Sequence, residues 1–181
     1  MACENLSLGR LKPCKDTVGG IKNIYFINYG DIPESGIVYN STDTDVIDDL
    51  VTSPTTFNAY KYEVHFSSSF TQNIQSSMEN GTTAFEQVLE VTLPKLTKDD
   101  HKEIKLISFG HPHVIVEDQN GSFFVAGLLN GMAVTGGTIV TGLNMGDLSG
   151  YTLTLTGMEK VPANFLDTNI VDAGGTIVSG T

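Results

Sequence analysis

The sequence predicts a mainly β protein: a β-sandwich or barrel with one flanking α-helix and a long β-hairpin arm. Three observations carry that expectation. Apolar and polar residues alternate with period two along much of the chain, as at Tyr60, Tyr62, Val64 and Phe66 and again at Tyr151, Leu153 and Leu155. Asn-Gly pairs, Asn80-Gly81 and Asn120-Gly121, stand between such runs and mark hairpin turns. Convincing helical periodicity occurs only at Thr97 to Phe109.

Residues 1–20 are mixed in character, with Pro13 and Gly19-Gly20, and are expected to form an N-terminal arm. The first strand is Ile21 to Tyr29, whose apolar residues sit on both faces, as in a strand covered on both sides. Residues 30–58 read as a loop with a short element at Val46 to Val51 and an acidic cluster of Asp43, Asp45, Asp48 and Asp49. Residues 60–95 read as one long hairpin turning at Glu79-Asn80-Gly81 through a type I′ turn. Its outer half is rich in Ser, Thr, Gln and Asn. A lone ribbon of that kind is at best marginally stable in water and needs a partner surface.

The helix at Thr97 to Phe109 has Thr97 as N-cap and Asp99 and Asp100 in the first turn, where the dipole favours carboxylates. Ile104 and Ile107 share a face, with Leu106 and Phe109 near it. Gly110 and Pro112 end it. A second hairpin follows around Asn120-Gly121, then a Gly-rich β-branched stretch at Met132 to Val140 and a strand at Tyr151 to Thr156. Residues 161–181 are expected to form a C-terminal tail, all within one domain spanning 1–181.

The chain is 40% hydrophobic and carries 10 Lys+Arg against 21 Asp+Glu, a formal charge of −11. So few cations argue against duplex binding, which neutralises phosphates with clustered Lys and Arg. An acidic surface instead suits a conduit through which DNA passes without sticking, or simply aids solubility. No apolar run is long enough to cross a membrane, and the N-terminus lacks the pattern of a secretory signal. Sequons at Asn5, Asn40, Asn80 and Asn120 are then chance matches. Cys3 and Cys14 have no CxxC spacing, and reduced thiols are the expectation.

Candidate chemistry is thin. His111 and His113 would face one side of an extended chain and could share a metal, but no third ligand is obvious, so a loop leading into a strand is the expectation. The aspartates from Asp43 to Asp49 fail the EF-hand pattern, with Asp48 where Gly belongs and Pro54 where Glu belongs. No phosphate-cradling glycine motif and no GxSxG elbow occurs. No catalytic residue, cofactor or metal is therefore expected, and the chain is read as a non-enzyme.

Four stretches carry a resemblance to bacteriophage structural proteins of the tail-tube type. They are Asp16 to Phe26, Met78 to Thr82 with the return strand to Leu96, Val116 to Phe124, and Gly150 to Glu159. The resemblance implies a barrel or sandwich with a hairpin arm, in rings that stack around a lumen for DNA. It implies a virion protein made in the bacterial host cytoplasm, whose partners are its own copies and other virion proteins. Arms at Ser67 to Thr83 and at both termini would add to neighbouring sheets, anchored by Phe70, Ile74, Met78 and Phe85. A capsid decoration protein fits the same features. A small ligand-binding β-module would want exposed aromatic platforms, and the chain has no Trp.

Overall fold

Ile24 and Phe26 point to one side of their strand and Tyr25 and Ile27 to the other, and all four are buried. A strand with apolar residues at consecutive positions must be covered on both faces. The whole architecture follows from that requirement. In the computed structural model, which describes residues 9–12, 14–64 and 67–180, this strand is β1 (Ile21–Ile27), near the middle of the larger of two sheets.

The larger sheet also holds β2 (Val38–Tyr39), β3 (Val46–Asp49), β4 (Phe57–Glu63), β7 (His113–Asp118), β8 (Phe123–Ala126), β11 (Asn164–Leu166) and β12 (Gly175–Ser179). Its order is β12-β4-β1-β7-β8-β11-β3-β2. The smaller sheet is β5 (Ser69–Ser77), β6 (Thr82–Pro94), β10 (Gly150–Glu159) and β9 (Ala133–Val140), in the order β5-β6-β10-β9. Between the sheets, Ile24, Phe26, Val114 and Val116 meet Leu89, Val91, Tyr151, Leu153 and Leu155 in one core. Each such fully buried side chain contributes about 1.5–3 kcal/mol.

The other face of the larger sheet makes a second core. Tyr25, Ile27, Ile115 and Val125 are covered there by the chain's own connections, through Ile32, Leu50, Val51, Leu128, Ile170 and Ala173. The single long helix among the described residues, α1 (Lys98–Phe109), buries Ile104 against the first core. Thr97 caps it, its hydroxyl accepting from the Asp100 N–H at 3.0 Å. Gly110 ends it with its N–H bonded to the Leu106 and Ile107 carbonyls.

Several expectations need correction. Neither sheet closes into a barrel or tube, so the predicted β-sandwich/barrel gives way to two open sheets of eight and four strands. Closure would need the first and last strands of a sheet to pair, and β12 and β2 lie at opposite edges. The hairpin does not span 60–95. Residues Tyr60 to Glu63 belong to β4, which pairs with β1 in the other sheet, and Phe66 lies outside the described residues. The hairpin is β5–β6, and it is no isolated arm: β6 pairs with β10 from Phe85↔Glu159 to Pro94↔Gly150. Its turn at residues 78–81 has only Gly81 at positive φ (59°), whereas type I′ requires two such residues.

The C-terminal tail is not free either. β11 runs between β8 and β3, and β12 lies parallel to β4 with Ile177 opposite Ala59. Leu106 and Phe109 are 57% and 81% exposed rather than part of the helix's core face. Of the N-terminal arm, residues 9–12 and 14–20 form no strand, and Val18 is tied to Asn120 through its N–H and carbonyl.

Candidate functional site

The inner face of the hairpin changes character in three steps. Phe70 and its cross-strand partner Leu89 pack in the core between the sheets. One pair further out are Gln72 and Gln87. Both side chains hold the body: Gln87 Oε1 accepts the Gly127 N–H at 2.8 Å and Gln72 Oε1 accepts the Ala163 N–H at 2.7 Å. The next pair is Ile74 and Phe85, on the same face by the period-two rule. Ile74 is 71% exposed and Phe85 half-buried. The apolar face of the sheet thus continues past the glutamine pair to the point where β10 ends.

β10 stops opposite Phe85, so residues 75–84 form a two-stranded ribbon alone. Three further residue pairs, from Gln75↔Ala84 to Ser77↔Thr82, extend it by about 10 Å. Met78, fully exposed, stands at its turn. Polar cross-strand contacts hold the ribbon: Gln75 Nε2 and Asn73 Nδ2 donate to Glu86 Oε2, and the Ser76 and Thr83 hydroxyls lie 3.2 Å apart. From Ser69 to Pro94 the charged residues are Glu79, Glu86 and Glu90, with no cation among them.

The four predicted contact residues therefore divide. Phe70 belongs to the protein's own core and lies 6.3 Å, centroid to centroid, from Phe124. Ile74, Met78 and Phe85 are brought to one protruding end. A second exposed apolar group went unnoticed in the sequence. Leu143 (93% exposed) and Met145 sit on the loop after β9, at the opposite end of the same sheet. Asp147 shapes that loop, its carboxylate accepting from the Leu143 and Asn144 N–H groups at 3.0 and 2.7 Å. Those two backbone bonds hold its carboxyl below the usual range.

The most elaborate polar cluster is elsewhere. Glu117 on β7 is buried and receives Lys22 Nζ at 2.6 Å, Asn23 Nδ2 at 2.6 Å and the Tyr25 hydroxyl at 2.9 Å. The register sets this up, placing Asn23 directly opposite Glu117. Burial works against the carboxylate, but the donors from Asn23, Lys22 and Tyr25 outweigh it and hold Glu117 below its ordinary value. Burial first, then the carboxylate, pushes the Tyr25 phenol well up. The cluster ties β1 to β7.

His111 and His113 do not converge. His111 is exposed, whereas His113 is buried, with Nδ1 at 2.7 Å from the Gly127 carbonyl. That carbonyl accepts, so Nδ1 carries the hydrogen, and the buried Nε2 has no partner among the described residues. The acidic loop is held by its own bonds, Asp45 N–H to Asp43 and Asn40 to Asp48. Among the described residues no group of three or more His, Cys, Asp or Glu is placed to hold a metal ion. Cys14 is exposed, and Cys3 lies outside the described residues. No helix among the described residues is long and apolar enough to cross a membrane. Compared with protein-family models, curated proteins and solved structures, the chain finds no match in any of the three.

Proposed function

We propose that this chain is a structural subunit of a bacteriophage particle, working by self-association and not by catalysis. One observation carries the assembly part: the apolar inner face of the hairpin runs on past the Gln72 anchor and leaves Ile74 exposed and Phe85 only half-covered. A neighbouring copy would cover them and supply hydrogen-bond partners to the free edge of β5, which pairs only with β6 among the described residues. Repetition around a closed ring would multiply a contact that is weak when made once. The phage assignment rests on the resemblance of the four stretches to tail-tube proteins. In that form, subunits stack as rings around a DNA conduit, and the charge of −11 keeps the passing DNA mobile.

The folded-back C-terminal strands favour a second reading. With β11 and β12 inside the larger sheet, the hairpin end is the main arm among the described residues. A single arm suits a decoration subunit that grips a phage shell. Replacing residues 74–85, which include Ile74 and Phe85, by a two-residue Asn-Gly turn between the paired Asn73 and Glu86 tests the proposal. The expected product is a folded monomer that forms no rings, tubes or particles in negative-stain micrographs. Full-length protein should form tubes if it is a conduit, and should remain dispersed but bind capsids if it decorates them. If the shortened protein assembled like the parent, the hairpin would not be the contact.

A further inference from the structure

Between the C-terminal half of α1 and strands β1 and β4 lies a cavity of about 420 Å³, within the size range of small-ligand sites. Its walls are aromatic for a reason legible in the strands. Tyr60 and Tyr62 are two apart on β4 and share a face, and Phe26 meets Tyr62 edge-on at 5.1 Å. Tyr29 closes one side, stacked 5.2 Å from His113 with its hydroxyl on the Leu129 carbonyl. The helix contributes Leu106, Ile107 and Glu103. Of the two apolar helix residues that the core leaves exposed, Leu106 lines this cavity and Phe109 does not.

The ionisable groups other than tyrosine that line the cavity are Glu103 and His111. Glu103 is its carboxylate, and no Lys or Arg lines it. Lys98, Lys102 and Lys105 of the same helix are exposed and are not among its lining residues. The Tyr62 phenol is pushed up to about 12, by burial first and then by Glu103 and Asp100, so a negative potential reaches the ring. The hydroxyls of Tyr60 and Tyr62 make no hydrogen bond among the described residues. Aromatic faces attract cations through their quadrupole, and a carboxylate at the rim adds to this attraction.

We propose that this cavity binds a small organic ammonium ion, its charged head over the faces of the tyrosines and its alkyl groups against Phe26, Leu106 and Ile107. An anion would meet Glu103 with no Lys or Arg in the lining to offset it. A purely apolar ligand would leave Glu103 and the two phenols without gain. This site is separate from the hairpin end and does not depend on the assembly role.

The test uses the full chain, with choline and its uncharged isostere 3,3-dimethylbutan-1-ol as probes. Binding is followed by tyrosine fluorescence, which no tryptophan masks, and by calorimetry. Choline should bind saturably and about fivefold or more tighter than the alcohol. Glu103→Gln and Tyr60→Leu should each weaken choline by a similar factor while leaving the alcohol unchanged. Glu103 is exposed, so its variant keeps the test sound if a tyrosine variant fails to fold. Equal affinity for the two probes, no saturable choline binding, or choline binding indifferent to Glu103→Gln would overturn the proposal.

Discussion

Gln72 Oε1 accepts the backbone N–H of Ala163 at 2.7 Å, joining residues 91 positions apart. This contact ties β5 to the body two residues before Ile74, whose partner Phe85 lies opposite the end of β10. Inside it, Phe70 is core; outside it, Ile74 has lost its cover. Ala163 is buried, so its N–H has no water to fall back on if the glutamine is removed.

Gln72→Ala should therefore destabilise the fold by about 1–3 kcal/mol, the cost of an unmet buried donor. Thermal denaturation should show a midpoint lowered by about 2–4 °C for each kcal/mol. Gln75→Ala, beyond the anchor, is the control and should change stability by less than about 0.5 kcal/mol.

Ile74→Asp should separate assembly from folding. Ile74 is 71% exposed, so the monomer's urea midpoint should stay where it is. Its partner would have to bury an unpaired carboxylate, and sedimentation velocity should show the loss of large species. Unchanged sedimentation would remove Ile74 from the contact.

The Glu117 cluster predicts an acid-sensitive stability. Its folded value lies below the ordinary 4.5, so ionised Glu117 stabilises the fold above that value. The contribution is lost as pH falls through the lowered folded value. Glu117→Gln should cost about 1–3 kcal/mol at neutral pH, since it weakens charge-assisted bonds. It should also flatten the fall of urea midpoints between about pH 5 and 3. An unchanged acid limb would place that sensitivity on other carboxylates.

Gly131→Ala should be strongly damaging, for Gly131 is buried beside the fully buried Met132. Gly131 has φ 72°, and a Cβ there would lie 2.4 Å from the His111 carbonyl oxygen. The left-handed backbone alone costs a non-glycine residue about 1–3 kcal/mol. A soluble-fraction assay with circular dichroism should show a strongly destabilised protein, and an unaffected melting curve would mean that the loop yields without cost.

The residues by themselves determined local geometry and little beyond it. Alternation at Tyr60–Tyr62–Val64 and at Tyr151–Leu153–Leu155 set which side chains share a face, because a strand repeats every two residues. Thr97, Gly110 and Pro112 marked the helix ends through capping and steric exclusion. β1's two-sided apolar pattern announced a strand covered on both faces. Only the tertiary structure decided partners. Period two is blind to which strand lies alongside, so Tyr60 to Glu63 read as hairpin although they pair with β1, and the tail read as free although β12 pairs with β4. The Glu117 donors lie 92 to 95 positions away, and the Tyr60, Tyr62 and Glu103 cavity joins a strand to a helix some 40 positions on. Such sites exist only once packing brings distant segments within bonding range, and hydrogen bonds and dispersion act over a few ångströms of space whatever the separation along the chain.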